Sequence, residues 1–241
     1  MLCWAPPWGG VSPPPPTCGV REAQEPMRKA VRHLRQADPI MAAIIERIGP
    51  FKMRYREPSF DAMARSIVFQ QLHGKAAATI FERVCAACHG VCGEPPRNGT
   101  GGSMDGLTPA SILALSEQQL RACGLSRQKL SYLRDLAQRT ADGEIDFARL
   151  PEMSDEDVIE HLTRVKGIGV WSAQMFLIFA LRRPNVMPTA DYGINAAIKK
   201  AYRKRQMPKP KQILKIARPW HPYCSVACWY LWRYAELKNP N

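Results

Sequence analysis

The chain has 241 residues, with 34 Lys and Arg against 21 Asp and Glu, a formal net charge of +13 and a pI of 9.6. That length holds one sizeable domain or two small ones, and the ordinary apolar content suffices for a packed core. The charge excess points to a polyanionic partner, nucleic acid first, or else to a solvated basic surface that only aids solubility. Membrane spans need roughly eighteen consecutive apolar residues, and the sequence has no such run, so none is expected.

Residues 1 to about 26 are rich in proline and glycine (Pro13-Pro14-Pro15-Pro16) without periodicity and are expected to be disordered. They lack the basic and apolar regions of a signal peptide, and Met27 is an alternative start. Asp38-Pro39 predicts an N-cap and first helical position, followed by Ile40, Met41, Ile44, Ile45 and Ile48 at helical spacing up to Gly49. Two helices are predicted over Ala62 to Gln71 and Lys75 to His89, broken at Leu72-His73-Gly74. A loop follows over Glu94 to Gly106. Helix restarts at Thr108-Pro109; Ser116 and Gln119 form a capping box, and Gly124 ends that piece. Arg127 to Thr140 carries Leu130, Leu133, Leu136 and Ala137 on one face, and Ser154 with Asp157 caps the next helix. The remaining helices are predicted over Ile194 to Arg203, Lys211 to Arg218 and Pro222 to Leu237. Nothing alternates with period two, so the chain reads as all-α with about ten helices.

The stretch from Leu162 to Tyr192 carries the chemistry. Gly167 and Gly169 bracket Ile168 between two helical patterns, and such a turn ahead of a helix N-terminus leaves backbone N–H groups facing outward, where a phosphate oxygen fits. Trp171, Ser172-Ala173, an apolar helix and Asp191-Tyr192 follow. Asp191 suits two roles: a carboxylate stabilising positive charge on a sugar, or the N-cap of the helix that starts at Tyr192.

Together these residues resemble the helix-hairpin-helix signature of the DNA glycosylase superfamily, and most nearly its alkylbase branch, the DNA-3-methyladenine glycosylase II type. The resemblance runs from about Pro39 to Leu237. It implies two helical subdomains flanking a cleft, one from about 27–60 plus 193–241, the other from about 61–192 with the hairpin at 162–173. It implies an intracellular monomer acting on double-stranded DNA that contains alkylated bases, with Asp191 catalytic. The bifunctional glycosylase/lyases of the superfamily carry a lysine where Trp171 stands, and Schiff-base chemistry needs that amine; the resemblance therefore implies base release without strand cleavage. It places Trp171, Tyr192, Trp220 and Met175 around the base, where ring faces attract a cationic purine. Cys224 stands where arginine is common in the family, and Met175 where tyrosine is. Gln71, Leu72 and His73 become wedge and minor-groove probe. Lys166, Gly167, Gly169 and Ser172 become backbone contacts, and the main-chain carbonyls of Thr163, Val165 and Ile168 a seat for Na+ or K+.

Alternatives remain for several features. Leu72, Trp171 and Trp220 also suit core packing. The basic run Lys199, Lys200, Arg203, Lys204, Arg205, Lys209 and Lys211 fits phosphate contact, a solvated face or a targeting patch equally. Cys85-Ala86-Ala87-Cys88-His89 matches a haem-attachment pattern, but Cys85, Cys88 and Cys92 share one helical face as small apolar residues do, so no haem is expected. Cys224 and Cys228 are too few for an iron–sulfur cluster, and no cofactor is required. The rival functions are a glycosylase for oxidised or deaminated bases and a non-catalytic helix-hairpin-helix binding module.

Overall fold

The computed structural model describes residues 20–72, 74–92 and 107–237, with backbone alone at 20–24, 91 and 92. Twelve α-helices and no strand occur among the described residues. They fall into two units, Arg54–Leu181 and a second built from the chain on either side of it.

In the first unit α3 (Phe60–Phe69), α4 (Gly74–Cys92), α5 (Pro109–Ala114), α6 (Glu117–Ala122) and α7 (Arg127–Ala141) precede the pair α8 (Asp155–Thr163) and α9 (Val170–Phe179). The starts are set by side chains. Ser59, Thr108, Ser116, Ser126 and Ser154 each accept an N–H of the first turn, a bond that contributes about 1 kcal/mol. Helix α7 packs on α3 and α5, burying Leu133, Leu136 and Ala137, and α8 packs on α9. Burying a leucine of this kind stabilises by about 1.5–3 kcal/mol. Phe60, Phe147 and Phe176 meet edge to face at 6.4 and 5.9 Å.

The second unit holds α1 (Val20–Ala37), α2 (Pro39–Ile48), α10 (Tyr192–Ala201), α11 (Pro210–Ala217) and α12 (Cys224–Glu236). Helix α1 overturns part of one expectation, because it begins at Val20 inside the stretch read as disordered. Arg21 to Glu25 are good helix formers, and Ala30 and Leu34 further along bury against the rest of the unit, so the helix runs through Pro26. Residues 1–19 lie outside the described residues, as does the expected loop after Cys92 up to residue 106. Asp38 is the polar centre of this unit. Its Oδ1 caps α2 through the N–H groups of Ile40 and Met41, while Oδ2 accepts Trp220 Nε1–H at 2.9 Å and the Tyr202 hydroxyl. Burial and then the hydrogen bond to Asp38 push the Tyr202 phenol above its ordinary range.

The division between units falls at 181/182, not near 192/193 as expected. Ser225 on α12 binds the segment that follows this division. Its hydroxyl donates to the Arg183 carbonyl and accepts Val186 N–H at 3.0 Å, and its own N–H reaches the Pro184 carbonyl. The strap before Asp191 is thereby stitched to the C-terminal helix.

Candidate functional site

The first unit contributes the hairpin. Helix α8 ends at Thr163, and the chain turns through Val165, whose carbonyl accepts Ile168 N–H at 3.1 Å. Gly167 sits at φ 78°, a region that disfavours a side chain, and a Cβ there would meet the Tyr132 ring at 2.1 Å. Ile168 is buried and pins the turn. Gly169 then begins α9 without any side-chain cap. Asp135 of α7 holds the turn from below, its Oδ2 accepting Lys166 N–H at 2.9 Å and Oδ1 lying 3.7 Å from the Lys166 ammonium. Partial burial raises the Asp135 pKa, but the Lys166 N–H and Arg139 outweigh it and hold the group below its ordinary value.

The same turn is tied to the break between α3 and α4. Gln70 Nε2 donates to the Gly167 carbonyl at 3.0 Å, and Lys129 Nζ donates to Val68 O at 2.6 Å near the end of α3. Gln71 takes φ 57° and is exposed, and Leu72 is 41% exposed. His73 lies outside the described residues.

In the second unit Asp191 caps α10, its Oδ1 accepting Ile194 N–H at 2.8 Å. The same oxygen accepts Trp232 Nε1–H at 3.0 Å. Asp191 is only 2% exposed, while Tyr192 beside it is 77% exposed. A Cβ on Gly193 would lie 3.2 Å from Trp232 Cδ1 and 3.3 Å from Asp191 Oδ1, so only glycine fits without a shift.

A hairpin turn whose glycine admits no Cβ, an uncapped helix N-terminus and a buried carboxylate ahead of α10 accord with residues 64–222 matching the family model described as HhH-GPD superfamily base excision DNA repair protein. The chain belongs to the HhH-GPD superfamily. It is 32% identical over 231 residues to DNA-3-methyladenine glycosylase 1 of Schizosaccharomyces pombe, covering 92% of this chain and 95% of that one. A solved 3-methyladenine DNA glycosylase of the same yeast, in complex with abasic DNA, superposes with a TM-score of 0.71 at 32% identity, over 87% of this chain and 97% of that one. A DNA-3-methyladenine glycosidase from Bacillus halodurans gives a TM-score of 0.71 at 31% identity, over 86% and 89%.

Within this HhH-GPD chain the expected residues divide. Lys166, Gly167, Gly169 and Ser172 lie together on the hairpin, but the Lys166 amide is committed to Asp135. Trp171 and Ser172 are half-buried in the first turn of α9. Trp220 is fully buried, with its indole N–H on Asp38. Met175 is likewise fully buried. Trp220 ends the short turn after α11, and Met175 lies on the inward side of α9. Cys88 is buried and Cys85 partly so, and burial pushes the Cys85 thiol up to about 12. Sequence reasoning missed Trp232, Asp135 and the Gln70 bond. A buried indole N–H needs an acceptor, but only the fold says which of six tryptophans finds Asp191.

Proposed function

We propose that the chain is a monofunctional DNA glycosylase that releases cationic alkylated purines, such as 3-methyladenine and 7-methylguanine, from duplex DNA in base excision repair, and so acts where the DNA is. The observation that carries this reading is the Asp191 carboxylate, buried and bonded by a donor beyond the one its helix cap supplies. The similarity along almost all of two chains to the yeast DNA-3-methyladenine glycosylase supports it.

The hairpin grips a backbone phosphate through main-chain N–H groups of α9's first turn. The exposed Leu72 enters the base stack as the lesion rotates out, offsetting part of an unstacking cost of a few kcal/mol. Tyr192, exposed beside Asp191, offers a ring face to the cationic base. As the C1′–N bond breaks, the electron pair leaves with the base, which is neutralised. Positive charge then builds on the sugar, and Asp191 stabilises it. Water adds at C1′ and loses a proton, leaving an abasic site. Trp171 carries no amine, so no Schiff base forms and the strand stays whole. Carbonyl oxygens keep a second lone pair after one bond, and those of Thr163, Val165 and Ile168 suit Na+ or K+, which would screen carbonyl dipoles from the phosphate.

Methylated duplex DNA tests the reading. The protein should liberate 3-methyladenine and 7-methylguanine without nicking the strand and leave oxidised bases in place. Asp191→Asn should slow release by about 100-fold or more while duplex affinity persists. Unchanged release from Asp191→Asn would make the residue a helix cap and the chain a binding module.

A further inference from the structure

Resting on the catalytic reading of Asp191, we infer that Trp232 is a positioning residue, its indole N–H aiming the carboxylate at the sugar. An N-cap needs one acceptor bond, and Ile194 N–H supplies the partner at 2.8 Å. Trp232 adds a second donor at 3.0 Å on the same oxygen, from a helix 41 residues away in sequence. Two donors converging on Oδ1 fix the rotation of the carboxylate about its Cβ–Cγ bond, and with it the direction of Oδ2. Preorganised charge of this kind needs no rearrangement when positive charge develops on the sugar.

The surrounding packing serves that bond. Trp232 is 2% exposed, as is Asp191, so the hydrogen bond is shielded from water. Gly193 leaves the gap that lets indole and carboxylate meet, since a Cβ there would crowd both. Ser225, Cys228 and Trp232 lie along one stripe of α12 at spacings that put them on one helical face. Ser225 holds the strap at Arg183, Pro184 and Val186, and Cys228 Sγ lies 3.8 Å from both the Val186 carbonyl and Met187 Sδ. Trp232 takes the end of the strap, at Asp191 itself. Burial first, and then neighbouring Cys224 and Asp191, push the Cys228 thiol well above its ordinary value. It therefore stays neutral and sets no second negative charge against the carboxylate. Helix α12 is thus a mount whose register determines where the carboxylate points.

The test is Trp232→Phe in the full chain, which keeps an aromatic ring and removes the donor. Three quantities are read: single-turnover base release, affinity for duplex containing a neutral tetrahydrofuran abasic site, and affinity for duplex containing a cationic azasugar abasic site. The cationic analogue probes the carboxylate directly. Trp232→Phe should slow release by about 10-fold or more and cut the preference for the cationic over the neutral duplex by a similar factor. Affinity for the neutral duplex should stay within about twofold, because the phosphate contacts are untouched. Equal loss on both duplexes would assign Trp232 a merely structural role, and an unchanged rate and preference would also overturn the inference. If Trp232→Phe fails to fold, Gly193→Ala is read in the same way, because its Cβ displaces the pair without removing either member. Asp191→Asn separates the two ideas. If it abolishes release and cationic preference while Trp232→Phe changes neither, only the positioning role falls; if Asp191→Asn changes nothing, the catalytic reading falls with it.

Discussion

Gly167 shows how much one missing side chain decides. Its φ of 78° disfavours any L side chain, and the face where a Cβ would stand is filled by Tyr132, 2.1 to 2.5 Å away. Alanine at this position must adopt strained backbone and push a ring whose hydroxyl is bonded to Gln128 Nε2 at 2.6 Å. Gly167→Ala should therefore cost about 1–3 kcal/mol and weaken duplex binding, read by denaturant unfolding and by titration with undamaged duplex. Adding Tyr132→Ala should restore only the part due to overlap. Wild-type stability in the single variant would mean that the glycine is not there for close approach. The glycine itself was legible in the sequence as a Gly-x-Gly turn, but Tyr132 was not, since nothing local marks which helix fills the space. Trp220 and Trp232 make the same point. Composition gives both the same chemistry, and burial alone decides that one N–H meets Asp38 and the other Asp191.

Helices α3 and α7 meet through Lys129, whose ammonium donates to Val68 O just ahead of the Gln70–Leu72 turn. Burial lowers its pKa from 10.5 to about 8. Because the folded value lies below the unfolded one, the unfolded chain binds more protons between those pH values, and stability rises with pH across that window. Below about pH 8 the full penalty of burying the charge stands. Lys129→Met removes this contribution. Wild type should therefore gain stability relative to Lys129→Met from pH 8 to 10.5, read as diverging denaturant midpoints. Parallel curves would show that the ammonium keeps its ordinary affinity for the proton. Helix existence was legible at this scale because caps are local: Asp38, Ser116 and Ser154 all cap where the pattern placed them. The strap from Arg183 to Asp191 was not legible. It has no periodicity, and its position depends on hydroxyl and indole donors from α12.

Across the whole chain, a net charge of +13 has to be reconciled with a hairpin whose own charges are largely spent. Arg164 pairs with Glu160 at 2.7 Å, and Lys166 stands by Asp135. On the proposed reading the hairpin holds DNA mainly by main-chain N–H groups, which give register but little long-range pull. The excess lies elsewhere, including Arg203, Lys204 and Arg205 after α10, all exposed and with no carboxylate partner among the described residues. Counterion release lets these two contributions be separated, because each phosphate contact adds about 0.9 to the slope of log affinity against log salt. Lys166→Ala should lower that slope by well under one contact, since Asp135 already offsets its charge. Replacing Lys204 and Arg205 together by glutamine should lower the slope by up to about 2 while leaving single-turnover base release on saturating duplex unchanged. The two predictions bear on one another. If the glutamine pair leaves the slope intact and Lys166→Ala reduces it by a full contact, the attraction is local to the hairpin, and the basic run is a solvated face that DNA does not touch.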